Sequence, residues 1–289
     1  FPTRRSDGAA FGEAVAETWQ RTYGRGRMDI PCGVVATLAR WPHKTPGASH
    51  AADLARFLAS QPARRWPPTV GQVAAVHYLR RPELIGAAGP LLRWADEEHD
   101  DDTLYAVKAV AETALKHGVL HHTGSADPSA PCEVDLMSWT IVCLRHREDR
   151  SWLAEHHTPD DATEVLVSLA IGDQPPAAGS LHEPAGGTGG IFRAVAQRLR
   201  DHGVDPHAWT WSLQDLDPLA VAGAAVNFLV WDLGPNTTVA CGNTLSEGDL
   251  TGRALAARAR AESHRDALLA GAHEAAGHLR ALRALGVLA

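Results

Sequence analysis

Through its first half the chain repeats apolar residues three or four positions apart, the spacing that gathers them on one side of a helix. Phe11, Val15, Ala16 and Trp19 do so within Gly8–Tyr23, and shorter patterns follow at Cys32–Leu38, Ala51–Ser60 and Val70–Arg80. His43–Ala48, with Pro46 and Gly47, has the turn chemistry of a loop, as does Gly124–Pro131. The acidic run Asp96–Asp102 leads into a helix at Thr103–His117, with Gly118 as its stop. Acids at its start and Lys or His at its end suit the helix dipole. Glu133–Arg145 is apolar enough to be buried.

The pattern changes after Thr158-Pro159. Asp160 and Asp161 open a helix carrying Val165, Leu166 and Leu169 on one side, and a Pro/Gly/Ala loop (Gly172–Gly179) ends it. A short strand Ser180–Glu183, a glycine-rich turn and a helix Ile191–His202 follow. Next come a strand Ala208–Leu213 ending in Gln214-Asp215, a helix Pro218–Leu233 and a strand Thr237–Cys241. This βαβαβ order predicts the mononucleotide-binding half of a doubly wound parallel sheet, hence an α/β fold behind a mainly helical N-terminal domain. The expected division is 1–150 and 151–289. Trp209 and Trp211 share a face of the second strand; core is their ordinary place, and the border of a ligand cleft is the alternative. The tail from Leu250 reads as Ala/Arg-rich helix, with Leu268, Ala272, Ala275, Leu279 and Leu282 at alternating four- and three-residue steps. That seam fits a helix packed on its own domain; a homodimer through the C-terminal helix is the other reading.

Composition narrows the classes. With 45% hydrophobic and 21% charged residues the chain reads as soluble and globular. No apolar run approaches the roughly 18 residues of a membrane span and no signal-peptide core is visible, so the expectation is a cytoplasmic protein with no membrane partner. A net charge of −7 argues against holding duplex DNA unaided, because neutralising phosphates supplies most of such affinity. Arg21, Arg25 and Arg27, Arg64 with Arg65, and Arg80 with Arg81 remain as local basic clusters. Cys32, Cys132, Cys143 and Cys241 form no CxxC pair and read as buried small hydrophobes. Among 16 His residues, the pairs His121-His122 and His156-His157 are adjacent and diverge, and His273 with His278 misses the i,i+4 spacing of a helical chelate. Asp96–Asp102 lacks the spaced Gly and final Glu of a calcium loop. No metal site is expected.

The chemistry concentrates in His182-Glu183-Pro184-Ala185-Gly186-Gly187-Thr188-Gly189-Gly190, between a strand and a helix. Glycines there let the backbone turn tightly and approach a ligand, and amides of the turn and helix start can hold polar groups. An acid at the strand's end suits a cationic amine. This run resembles the Asp-Pro-Ala-Cys-Gly-Ser/Thr-Gly-Gly motif of N-6 adenine-specific DNA methyltransferases, specifically the modification subunit of type I restriction–modification systems. His156-His157-Thr158-Pro159 resembles the aromatic-aromatic-Thr-Pro element that precedes the first strand. Gln214-Asp215-Leu216-Asp217-Pro218 resembles the Gln-Glu-hydrophobic-Asn-Pro step after the second. Asn227-Phe228-Leu229 and Gly242-Asn243-Thr244-Leu245 resemble the family's Asn-Leu-x-Leu helix and Gly-Asp-Thr-Leu turn.

The resemblance implies a truncated Rossmann-like methyltransferase core that binds S-adenosylmethionine (SAM) through Thr158, Pro159, Glu183, Pro184, Ala185, Gly186, Gly187, Thr188, Gly189, Asp215, Leu216, Asn243 and Thr244. Thr158-Pro159, Glu183 and the glycine turn would hold the methionine end, Asp215 the ribose hydroxyls and Asn243 the adenine. Glu183 stands where the family has Asp, two His replace aromatics, and Asn243 replaces Asp while keeping an acceptor. The family's catalytic Asn-Pro-Pro-Tyr/Phe motif is absent: no Pro follows Pro235, and nothing from Gly248 onward offers further strands. The catalytic residues are therefore unknown. The resemblance implies a SAM-binding relative of DNA methyltransferases that reaches DNA through a partner subunit. The alternatives are methyl transfer to a non-DNA acceptor and a non-catalytic SAM-binding or interaction role.

Overall fold

Where apolar residues recur at helical spacing, helices form. The structure, a computed structural model, describes residues 4–42, 44, 48–145, 160–172 and 174–285. Its first half holds α1 (Arg4–Thr22), α2 (Asp29–Ala39), α3 (Ala48–Ala59), α4 (Trp66–Tyr78), α5 (Pro82–Ala87), α6 (Asp101–Lys116), α7 (Val119–Thr123) and α8 (Leu136–Leu144). α2, apolar on every side, is buried from Ile30 to Ala39 at the centre of this layer. α6 begins where the Asp100 carboxylate accepts the Thr103 amide at 2.8 Å. It ends before Gly118, whose φ of +82° suits a residue without a side chain. Asp135 caps α8 in the same way, accepting the Ser138 amide at 2.9 Å.

The second half alternates α9 (Asp160–Ile171), β1 (Ser180–Glu183), α10 (Gly190–Asp201), β2 (Thr210–Asp215), α11 (Pro218–Val230), β3 (Thr237–Cys241), α12 (Thr244–Glu247) and α13 (Thr251–Ala284). The molecule is thus mostly helical with one small sheet. The strands are parallel, in the order β1-β2-β3. In register, Glu183 sits opposite Leu213, and Asp215 opposite Cys241. Paired residues share a face, so Glu183, Trp211, Leu213 and Asp215 look one way, while Ser212 and Gln214 look the other. The first face packs on α10 and α11: the Phe192 ring lies 5.3 Å from Trp211 and 5.6 Å from Phe228. The second is covered over β2 and β3 by the start of α13, where the Ser212 and Thr251 hydroxyls meet at 2.6 Å.

One apolar core runs through both halves, joining Phe11, Trp19, Val34, Val107 and Ile141 to Phe192, Trp211, Phe228 and Trp231. The expected boundary at 150/151 lies outside the described residues. Trp209 and Trp211 are buried in this core near the start of β2, so neither borders a cleft at the strands' carboxyl ends. In α9 the three apolar residues expected on one side, Val165, Leu166 and Leu169, are all exposed, Leu169 by 78%. Thr163 and Val167 are buried instead, because α9 packs on α10 and the continuous run Val165-Leu166-Val167 points round the helix without selecting a face. The α13 tail also departs from expectation. Only Ala254 is buried along its 34 residues, so its leucine seam is not packed on its own domain. Among the described residues no helix is long and apolar enough to cross a membrane.

Candidate functional site

The carboxyl ends of β1 and β2 bring together the two acids that the sequence singled out. Glu183 ends β1 and Asp215 ends β2, on neighbouring strands and the same face. Between them runs the glycine turn. The Gly186 amide donates to the Gln214 carbonyl at 3.1 Å, the Gly187 amide to the Asp215 carboxylate at 2.8 Å and the Gly189 amide to the Gly186 carbonyl at 2.8 Å. These three amides are therefore committed within the protein rather than offered to a ligand, contrary to the expectation for the turn. Asp215 uses its other oxygen to accept the Asp217 amide at 2.9 Å. A carboxylate has about four acceptor positions, so each oxygen retains capacity for a hydroxyl.

The glycines divide by what surrounds them. A Cβ on Gly186 would stand 2.5 Å from Leu213 Cδ1 and 2.9 Å from Glu183 Cγ, so the turn lies directly on the strand beneath it. Gly189, at φ +94°, faces Phe228 and Trp231 at 3.2 and 3.3 Å. Gly187, at φ +54°, has nothing within 4 Å of its missing side chain. That bare backbone is the outward surface of the turn.

Underneath, the turn is anchored to the helical half. The Thr188 hydroxyl donates to Asp135 at 2.8 Å, and the Asn227 amide group donates to Asp135 at 2.9 Å and to the Thr188 carbonyl at 3.0 Å. Burial pushes the Asp135 carboxyl up, against the Ser138, Thr188 and Asn227 donors and the Arg193 charge. A second tie joins Arg145, at the end of α8, to Asp217, which also caps α11 by accepting the Leu219 and Ala220 amides at 3.0 Å. Thr188 is thus buried, with its hydroxyl engaged by Asp135.

The segment after β3 folds back over β2. The Thr244 hydroxyl donates to the Pro184 carbonyl and accepts from Gln214 Nε2 at 2.7 Å. Gln214 also donates to the Gly248 carbonyl at 2.8 Å and accepts the Leu250 amide at 2.9 Å. Thr244 is therefore a tie between the two outer strand ends. The Asn243 side-chain oxygen accepts the Leu245 amide at 3.0 Å as the cap of α12, and its backbone amide donates to Glu247 at 2.7 Å. Pro184, Ala185 and Leu216 are exposed at this edge, as is Leu245, by 98%. Cys241 is exposed too, which corrects its reading as a buried hydrophobe; Cys32 and Cys132 are buried. Thr158 and Pro159 lie outside the described residues.

Burial holds the Glu183 carboxyl above the usual glutamate range; the Ala185 amide and His182 act against this, and the Asp215 charge adds to it. Two carboxylates on one face beside bare backbone favour a ligand with a cationic amine and a diol. Sequence reasoning did not find Asp135 or Arg145. Asp135 before an apolar helix carries a capping signal, but nothing local ties it to Thr188, 53 positions away. Among the described residues no three His, Cys, Asp or Glu side chains converge as a metal site would require. A groove of about 710 Å³ lies elsewhere, on the helical half, lined by Pro62, Arg64, Arg65, Pro68, Asp101 and Tyr105 among others.

Against known proteins, no family model and no curated protein matches the chain. Among solved structures it is similar to the type I restriction-modification system methyltransferase subunit from Streptococcus thermophilus, at 12% identity and a TM-score of 0.43. The similarity covers 85% of this chain and 60% of that one, so the chain spans less than two thirds of that subunit.

Proposed function

We propose that the chain is a SAM-binding protein with a Rossmann-like core, related to adenine-N6 DNA methyltransferases and acting with a partner. The reading is carried by one observation: Glu183 and Asp215, from adjacent parallel strand ends, flank a glycine bend whose outer surface at Gly187 is bare. Open α/β sheets bind ligands at that edge. In this reading the helical part (1–150) supports the turn from below and the sheet part (151–289) supplies the contacts.

When bound, SAM supplies an electrophilic methyl group; the chain's own residues bind and orient. Glu183 faces the amine of the methionine end, with Pro184 and Ala185 beside it and Gly187 allowing close approach. Asp215 accepts from the ribose hydroxyls while bracing the turn, and Leu216 offers an apolar surface to the adenine. Asn243 takes a different part from the one the family motif implies. Its oxygen serves the α12 cap, so Nδ2 is the group left to face a ring-nitrogen acceptor of the base. Gly186, Gly189, Thr188 and Thr244 hold the frame, and Thr158-Pro159 is proposed to close the methionine end.

A partner is part of the reading because β1 has a single strand neighbour in the sheet. In doubly wound sheets the ligand crevice opens where strand order reverses, beside the first strand, and among the described residues that side has one wall. No group of the Asn-Pro-Pro-Tyr/Phe kind is present to hold a flipped adenine. The partner would supply it, reaching DNA in the cytoplasm. Equilibrium dialysis with labelled SAM, followed by labelled-methyl transfer to unmethylated DNA with and without the products of neighbouring genes, tests this. The expectation is SAM retention by the chain alone and transfer only with a partner. Retention without transfer under every condition would favour the non-catalytic role, and transfer to a small molecule the non-DNA acceptor. No retention removes the reading.

A further inference from the structure

Away from the glycine turn, Arg40, Lys44, His77 and Arg80 gather with almost no acid among them. Arg40, the residue after α2, is 1% exposed. Its Nε donates to the Ala36 carbonyl at 3.0 Å, while Nη1 and Nη2 are buried with no hydrogen-bond partner. Burial alone shifts this guanidinium, down to about 10, and no acid acts on it, so it is charged at neutral pH. The Arg40 carbonyl meets Nε2 of His77, on α4, at 2.6 Å. Burial, joined by the charges of Arg40, Lys44 and Arg80, holds that imidazole below the usual histidine range, against its bond to the Arg40 carbonyl. Three cations thus act on one ring. Asp232, the acid that acts on Lys44, is exposed and paired with His207 at 3.1 Å. Arg81, next in the chain, donates to the Gly234 carbonyl at 2.6 Å and to the Thr237 hydroxyl. That ties the group to the start of β3, at the end of the sheet opposite Glu183 and Asp215.

The imbalance calls for a counter-charge. Carbonyls at the end of α2 favour a cation, but a helix terminus offsets only a small part of the penalty on a buried, unpaired guanidinium. The unpaired N–H groups of both Nη atoms add to that penalty. We propose that this group is a receptor for a phosphate-sized oxyanion, seated on the Arg40 Nη fork with Lys44 and Arg80 beside it. The fork matches two oxygens of a tetrahedral oxyanion, and the further cations favour a dianion over a carboxylate. Lys44 and Arg80 are exposed and mark the side from which the anion enters. Both Nη atoms are closed off from water, so the anion is enclosed with the guanidinium and stabilises the folded chain. SAM carries no phosphate, so this site and the carboxyl edge of the sheet are tested apart.

Equilibrium dialysis of the full chain against labelled inorganic phosphate, with melting in phosphate and in chloride at equal ionic strength, tests the assignment. About one phosphate per chain is expected, and a melting temperature raised by about 3–5 °C at roughly 20 times the dissociation constant. Sulfate should act like phosphate, and acetate far more weakly. Arg40→Met keeps the bulk of the side chain without its charge. It should melt no lower than wild type in chloride and lose both the bound phosphate and the phosphate-dependent rise. Arg40→Lys keeps a charge but no fork and should bind at least about tenfold more weakly; it decides the matter if the Met variant does not fold. No bound phosphate, with equal melting in both salts, would overturn the proposal. So would phosphate binding that both Arg40 variants leave intact, which would mean adsorption at surface arginines.

Discussion

The two sides of the glycine turn are built from the same nine-residue run and do opposite things. On its underside Thr188 is buried and joined through Asp135 to Asn227, while Gly186 and Gly189 press on Leu213, Phe228 and Trp231. On its outer side Gly187 faces open space between Glu183 and Asp215. A family-like motif is therefore not a list of ligand contacts. Part of it exists to hold the bend against the helical half, and only the outward remainder is open to a ligand. Asp215 belongs to both sides, since it braces the Gly187 amide with one oxygen and retains acceptor capacity for a ligand.

If the underside is scaffold, the largest effect on folding comes from Asp135→Ala. That change leaves the Thr188 hydroxyl, the Asn227 amide group and the Ser138 amide without their acceptor in the core. Destabilisation of about 3 kcal/mol is expected, measured by urea unfolding. A loss under about 0.5 kcal/mol would mean that the network does not hold the turn.

The sharpest contrast pairs two neighbouring glycines. Gly186→Ala forces its methyl into Leu213 and is expected to lower stability by about 1–3 kcal/mol. Gly187→Ala meets no neighbour, so its cost in stability is confined to the strain of a positive φ, about 1–2 kcal/mol. Its methyl does enter the outward surface, so SAM affinity should fall at least about tenfold, or 1.4 kcal/mol. Unfolding curves and SAM titrations of both variants check the pair; equal effects on both properties would erase the distinction between the two sides.

The smallest effect is in pH. An ionised Glu183 is what a cationic amine requires, and burial raises its carboxyl above the ordinary glutamate value of about 4.3. Affinity for SAM should hold above that raised value and fall as pH drops through it, with proton release on binding. Glu183→Gln should weaken binding at neutral pH and flatten this profile. An unchanged profile in the variant would show that another group titrates.

Much of this was legible in the chain. The switch from helical spacing to short strands after Thr158, with glycines after the first strand and Asp215 after the second, fixes the βαβαβ order and its carboxyl edge. What was not legible depends on contacts between distant residues. Asp135 and Thr188 are 53 positions apart, and Arg145 and Asp217 are 72 apart, so no local period reveals them. The face of α9 was misread because three consecutive apolar residues encircle a helix. The α13 seam was assigned to its own domain because spacing shows that a stripe wants cover without saying who provides it.

Hydrogen exchange of the full chain with and without SAM addresses all three loops at once. Binding at the edge described here predicts slowed exchange in 183–190, 215–218 and 241–247, with little change around 62–68 and 101–105, where the Arg64 and Tyr105 groove lies. Protection confined to that groove, or none anywhere at saturating SAM, would contradict it.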